Sequence, residues 1–340
     1  MSAAEDTEDG AVLVTGGAGF LGRLVVSRLL AQGRRVVVLD DLSTGRSAGL
    51  PRHPALALLE ASVLDERAVA RAARGVSAVW HLAGVVGMVR ATRLAAHAHR
   101  VSEEGTRRVL QASGDAPAVL FSSSAVYGLH RADPARESLP ADEREVLEYD
   151  GGVPGYATGK LALERLGLAA AARGRRVLVV RPFNVVGCGQ ASAYGMVLPS
   201  FVQRALAGRE LIIHGDGRQT RAFSHAGTFI DALFRLAASD AAWRAPQPLF
   251  NLGSPAALSV LDLARLVREE CAADVPFRFR PYAEAYPGRR DVAARSPDTA
   301  RLTAALGETS WPSVSEIVRE VVREERGGRT AMSVTATQWE

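Results

Sequence analysis

Through the first half of the chain, short aliphatic and β-branched runs alternate with stretches whose apolar positions recur every three or four residues. "AVLVTGG" (residues 11–17) leads into a helical pattern, Leu21, Leu24, Val25 and Leu29, that stops at Gly33. "RRVVVLD" (34–40) and "LALLEAS" (56–62) are further strands, and "DERAVARAARG" (65–75) is a short helix. "SAVWHLAG" (77–84), "AVLFSSS" (118–124) and "RVLVVRPFNVVG" (176–187) complete the set. Strands that are apolar throughout, separated by amphipathic helices, predict a parallel sheet covered on both faces.

After about residue 185 the rhythm breaks. "MVLPSFVQRALAGRELIIHGDG" (196–217) reads as a helix and a strand bounded by Pro and Gly. Helical segments near 259–273 and 313–325 enclose the Pro-rich "VPFRFRPYAEAYPGRR" (275–290). The expected fold class is α/β, a Rossmann-like doubly wound parallel sheet with a smaller, mixed C-terminal substrate domain. Its expected bounds are a tail over 1–10, a nucleotide-binding domain over 11–185, a substrate domain over 186–326 and a tail over 327–340. The chain is expected to cross between the two domains more than once. No internal repeat is visible.

Composition narrows the function. The chain has 340 residues, 47% hydrophobic and 23% charged, with a formal charge of only +4. Its arginines are scattered, without a basic block or interleaved aromatics, which argues against a nucleic-acid or membrane partner. Cys188 and Cys271 are the only cysteines, too few for a disulfide framework or a zinc site, so no metal is expected and a reducing cytoplasm fits. No stretch approaches the roughly 18 apolar residues that span a bilayer. "MSAAEDTEDG" is acidic and lacks the apolar core of a signal peptide.

"VTGGAGFLG" places Gly16, Gly19 and Gly22 between a strand and a helix. A tight turn and the approach of a pyrophosphate to bare backbone at a helix N-terminus both demand glycine there. "VVVLDD" ends the second strand with Asp40 and Asp41, some eighteen residues beyond Gly22. Either carboxylate can accept from an adenosine 2′-hydroxyl and would repel a 2′-phosphate, so NAD is the expected cofactor. "WHLAG" (80–84) ends its strand in small residues that leave room for a cofactor.

"YATGK" sets Tyr156 and Lys160 four apart on one face of a helix starting near Gly155. An ammonium beside a phenol lowers its pKa and makes it a proton shuttle near neutrality. A serine of "FSSSAVYG" (121–128) can hydrogen-bond the same substrate oxygen.

Over roughly residues 11–325 the chain resembles the extended short-chain dehydrogenase/reductases that act on nucleotide sugars. The resemblance rests on "TGGAGFLG", "HLAG", "SSSAVYG", "YATGK", "RPFNVVG", "GDGRQTRAF" and "RSPDTARL". It implies that Tyr156 is the base, Lys160 its pKa-lowering partner and Ser123 the hydrogen-bonding hydroxyl, oxidising a sugar carbon against NAD. It places Phe20, Leu21, Ser43, Ser62, Val63, Leu82, Ala83, Gly84, Ser102, Ser122 and Phe183 against the cofactor. It places Ser124 and Asn184 by the sugar or diphosphate, Val197, Leu198, Ile212 and His214 around the base, and Arg221 on the phosphates. Arg289 or Arg290 is an expected second clamp. The implied partners are a nucleotide sugar, most simply a UDP-sugar, and a second copy of the chain. That homodimer would be built on the helix carrying Tyr156 and the one near 101–113.

Within such enzymes the loop after the serine discriminates. Dehydratases carry an Asp–Glu pair there and nucleotide-glucuronate decarboxylases a Glu; here the positions are Ser124 and Ala125. What remains is oxidation and return of hydride, which is C4 epimerisation, unless Glu137, Asp142, Glu143 or Glu145 supplies a displaced carboxylate. Several positions depart from the pattern. Ser62 in "ASVLD" stands for an acid facing adenine, Ser102 in "VSEEGT" for an asparagine, Gly159 for a serine, and "SHAGTF" lacks two acids. Arg90, on the loop that approaches the hexose, is a candidate partner for a C6 carboxylate.

Overall fold

The computed structural model describes residues 10–129, 135–136, 142–190 and 196–331. Its strands are β1 (Ala11–Thr15), β2 (Val36–Asp40), β3 (Leu56–Glu60), β4 (Val76–His81), β5 (Ala118–Phe121), β6 (Val177–Pro182) and β7 (Val185–Val186). These are followed by β8 (Leu211–His214), β9 (Thr220–Ala222), β10 (Ser224–His225), β11 (Leu249–Leu252), β12 (Ala257–Ser259), β13 (Phe277–Arg280) and β14 (Ala294–Arg295). The helices are α1 (Phe20–Ala31), α2 (Glu66–Ala72), α3 (Met88–Arg93), α4 (Ala95–Ala112), α5 (Glu143–Tyr149), α6 (Tyr156–Ala172) and α7 (Val197–Leu206). Then come α8 (Ala226–Ala238), α9 (Asp240–Trp243), α10 (Val260–Glu270), α11 (Tyr282–Ala285), α12 (Ala300–Leu306) and α13 (Val314–Ala331). No described helix is long and apolar enough to cross a membrane.

Seven strands form the main sheet in the order β11-β6-β5-β4-β1-β2-β3, all parallel. Successive strands run outward from β1 in opposite directions, and ligands bind beyond the strand ends where that reversal occurs. Alternate residues feed two cores. Val12, Val14, Val36, Val38 and Val119 pack on α1 and α8, whereas Leu13, Leu39, Val79 and Leu120 pack under α2, α4 and α6. A third core joins Phe201 of α7, Ile213 of β8, Leu263 of α10 and Val318 of α13. The second half also returns to the sheet. β11, a strand the sequence reading does not identify, pairs with β6, and α8 and Leu302 of α12 cover the same face as α1.

His81, fully buried at the end of β4, ties three elements together. Thr106 gives its hydroxyl proton to Ser102 O, so it accepts from His81 Nε2 at 2.9 Å, and His81 Nδ1 accepts from Thr15 Oγ1 at 2.7 Å. Burial, with the Lys160 charge adding to it, lowers the imidazole to about 3. Between pH 3 and 6.5 the unfolded chain therefore binds a proton here that the folded chain refuses. Stability falls as pH drops through that window, by up to about 1.4 kcal/mol per pH unit from this group. Urea unfolding of His81→Gln between pH 7 and 4 should show a shallower acid slope than the parent; an equal slope would contradict this assignment.

Candidate active site

A cleft of about 970 Å³ lies along the C-terminal ends of the main strands and beneath α7, β8 and α11. Gly16 sits at φ +69°, and a Cβ there would lie 2.7 Å from Ala83 N. A Cβ on Gly22 would lie 2.1 Å from Gly16 O. These two glycines let turn and helix pack closely, whereas Gly19 precedes α1 as its N-cap with no side chain on the helix amides. Uncapped amides at the dipole's positive end suit a pyrophosphate. Asp40 is buried, accepting from Ala18 N and Leu42 N, both at 2.9 Å. Burial raises its pKa and those two bonds oppose the rise. Asp41 spends Oδ1 on Ser43 N at 3.0 Å. Both acids line the cleft, but Asp40 is the immobilised one. Ser62 lines it too, its hydroxyl accepting from Leu64 N at 3.1 Å. These residues fit a bound dinucleotide.

At the other end of the sheet, Ser123 precedes a short helical turn over 124–127, and its Oγ accepts from Ala125 N at 3.1 Å. Ser123 also stands beside the phenol of Tyr156, the first residue of α6, and favours its ionised form. Asp150 caps this helix, accepting from Ala157 N at 3.1 Å, Thr158 N at 2.9 Å and Thr158 Oγ1 at 3.0 Å. One turn on, Lys160 Nζ donates to Phe121 O at 2.7 Å, and a Cβ on Gly84 would sit 3.2 Å from that nitrogen. Burial lowers the ammonium to about 8 against the pull of Glu164. The expected sign at Tyr156 is corrected here. Protein around the ring raises the phenol's pKa, and Ser123, not Lys160, is the group that draws it down. The reason is geometric, since the ammonium is turned onto β5.

On the substrate side, Asn184 (φ +33°) donates Nδ2 to Ala222 O at 2.8 Å, and it lines the cleft with Ser122, Ser124, Val197, Leu198, Ile212 and His214. Arg221 Nη2 meets Asp291 Oδ1 at 2.7 Å while Nη1 donates to Thr220 O and Val292 O. Asp291 is thus the acid partner that "SHAGTF" does not provide, and His225 of that segment caps α8 through Thr228 N. Gly159, where a serine was expected, lies against α4, its Cβ position being 2.8 Å from His99 Cα.

Three expected contacts are not made by side chains. Arg90 donates to Ser43 O at 2.8 Å, toward the adenosine end and outside the cleft lining. Ser102 is buried between α4 and α6, and Phe183 is buried beside Tyr127. Both are core packing, off the cleft wall. Of the displaced carboxylates, Asp142 caps α5, Glu143 pairs with Arg165, and neither these nor Glu145 lines the cleft; Glu137 lies outside the described residues. Cys188 holds its proton, since burial and the nearby Glu324 and Glu320 raise its pKa.

The sequence reading missed Tyr149, Tyr282, Tyr286 and Arg295 on the cleft wall. Tyr286 meets His214 edge-on at 5.2 Å and Tyr282 at 4.9 Å, giving the base end an aromatic wall. Arg295 Nη1 donates to Ser124 O at 2.8 Å. Its motif, "RSPDTARL", was visible, but nothing in it told which carbonyl the guanidinium would reach.

Comparison with known proteins places the chain among enzymes of one family. A UDP-N-acetyl-alpha-D-glucosaminuronate decarboxylase of Bacillus cytotoxicus is 28% identical over 85% of this chain and 89% of its own. A UDP-glucose 4-epimerase of Azospirillum brasilense is 31% identical over 79% of each chain. The dTDP-glucose 4,6-dehydratase DesIV of Streptomyces venezuelae, solved with NAD and TYD bound, superposes with a TM-score of 0.82 at 26% identity, over 95% of this chain and 99% of that one. Residues 12–253 match the NAD dependent epimerase/dehydratase family. The chain belongs to that family, and is an NAD-dependent enzyme acting within its nucleotide-sugar epimerase, dehydratase and decarboxylase chemistry.

Proposed function

We propose that the chain is a nucleotide-sugar 4-epimerase acting on a UDP-hexose or UDP-hexuronate. The turn after Ser123 carries this reading. Ser124 and Ala125 occupy the positions where a second acid/base group would be needed to expel water. The cleft's described carboxylates stand elsewhere: Asp40 ends β2 and Asp41 follows it, Asp291 is held by Arg221, and Glu325 belongs to α13.

In the proposed reaction Tyr156 accepts the proton of the C4 hydroxyl, and Ser123 Oγ, fixed by Ala125 N, bonds the same oxygen. When bound, NAD supplies hydride acceptance and donation at C4. Gly16, Gly19, Gly22, Asp40 and Lys160 would hold it. Arg221, His214 and Tyr286 would hold the nucleotide, leaving the sugar free to turn its other face to Tyr156. Residues 11–185 would carry the cofactor and the chemistry, and residues 186–326 most of the nucleotide contacts. Two free thiols, Cys188 and Cys271, suit a reducing cytoplasm. Pairing of two copies would use α4 and α6. The Ala-rich side of α6 faces the sheet and α4, so the contact would fall on outer faces such as α4's ion-pair ladder of Glu103 and Arg107.

One observation favours a second reading. The Bacillus relative is a uronate decarboxylase, and a 4-keto uronate can lose carbon dioxide without a base to start it. Product analysis separates the two. Incubated with NAD and UDP-glucose, UDP-N-acetylglucosamine or UDP-glucuronate, the protein should yield a product of unchanged mass with an altered C4 proton coupling. A loss of carbon dioxide or water would replace the epimerase reading. Tyr156→Phe should lower kcat at least about a hundredfold with the Kd for NAD held within about twofold, as calorimetry would show.

A further inference from the structure

The sugar end of the cleft holds a buried cation that stands at ion-pair distance from Asp150 but has two nitrogens with no hydrogen-bond acceptor among the described residues. Arg289, in the loop after α11, is 7% exposed yet lines the cleft. Nη1 donates to Tyr149 O at 3.3 Å and touches Met88 Sδ at 3.5 Å. Nε and Nη2 are buried with no hydrogen-bond partner among the described residues. Nη2 faces Asp150 Oδ1 at 3.7 Å, beyond hydrogen-bond distance. That carboxylate is already engaged by the two amides and the hydroxyl that begin α6. Burying guanidinium N–H groups without acceptors is costly, so these nitrogens call for an acceptor that the described residues do not supply.

Position says which part of a substrate it meets. Asp150 ties Arg289 to the N-terminus of α6, where Tyr156 stands. Arg221 lies with Asp291 on the cleft wall, where His214 and Tyr286 form the aromatic wall of the base end. Arg295 shares the Tyr149 ring with Arg289, at 6.0 and 5.9 Å, but bonds the carbonyls of Ser124 and Gly128. On a hexose, C6 is two bonds from C4, so whatever grips C6 must sit close to the group acting on C4.

We propose that Arg289 receives an acidic substituent on the sugar itself, the C6 carboxylate of a nucleotide-linked hexuronate, and is not a second clamp on the diphosphate. The planar fork of an arginine matches a carboxylate in this role, whereas Arg90 is turned onto Ser43 O, outside the cleft lining. The proposal rests on the nucleotide-sugar reading above and narrows its substrate.

Binding measurements on the NAD-loaded protein test it without relying on turnover. Calorimetric Kd values for UDP, UDP-glucose and UDP-glucuronate would be compared across wild type, Arg289→Gln and Arg289→Lys, with melting temperatures. Wild type should bind UDP-glucuronate at least tenfold more tightly than UDP-glucose, a result that needs no variant to fold. Arg289→Gln should erase that preference, and Arg289→Lys should recover part of it. Equal losses for all three ligands would make Arg289 a phosphate clamp and overturn the proposal. A lowered melting temperature with the preference intact would make it structural and overturn it equally. Failure of wild type to bind any of the three would instead remove the nucleotide-sugar reading, and this proposal with it.

Discussion

A buried ion pair behind α6 sets the geometry on which the rest depends. Glu164 stands one turn beyond Lys160 and two beyond Tyr156, and takes both Nε and Nη2 of Arg181 on β6 at 2.7 Å. Its Oε1 also accepts from Ser122, the residue that leaves β5 for the serine turn. Both charged side chains are almost fully buried. Removing one partner of such a pair would strand the other, at a cost of about 3–5 kcal/mol. The pair pins α6 to the ends of β5 and β6, and Tyr156, Lys160 and Ser123 arrive at the cleft as one unit.

Much of this was legible in the sequence. Continuous apolar runs between stretches of period 3.6 located six strands of the main sheet, because parallel strands buried on both faces are apolar throughout. The glycine turn and Asp40 declared the cofactor end, since few sequences place bare backbone at a helix start and an acid one strand later. Tyr156 and Lys160 were legible because helical spacing alone puts them on one face. The seventh strand was not. "LFNL" is too short to announce itself, and only its pairing with β6 makes it a strand. Nor could spacing show that Ser102 and Phe183 turn into the core, that Arg90 bends toward Ser43, or that burial, with Asp150 adding to it, outweighs the pull of Ser123 at Tyr156. Those outcomes depend on contacts between segments far apart in the chain.

The acidic and basic groups of the cleft divide by function. Asp40 and Asp41 face the cofactor end, where a 2′-phosphate would be repelled. Arginines dominate the substrate end, and the acids there are already occupied, Asp291 by Arg221 and Asp150 by the start of α6. This asymmetry would favour anionic substrates, and among the described residues no carboxylate of the cleft stands on the serine turn. A sugar oxidised at C4 would then meet a site able to return it to the alcohol but poorly equipped to expel water.

The central claim is that the reaction begins by hydride removal at C4 beside Tyr156. A UDP-hexose or UDP-hexuronate carrying deuterium at C4, turned over in ordinary water with NAD, tests it most directly. Full retention of the deuterium at C4 of the product, read by mass spectrometry and NMR, is the expected result, together with a slower turnover than the unlabelled sugar. Loss of the label to solvent would contradict the account, because the C4 hydrogen would then have left as a proton.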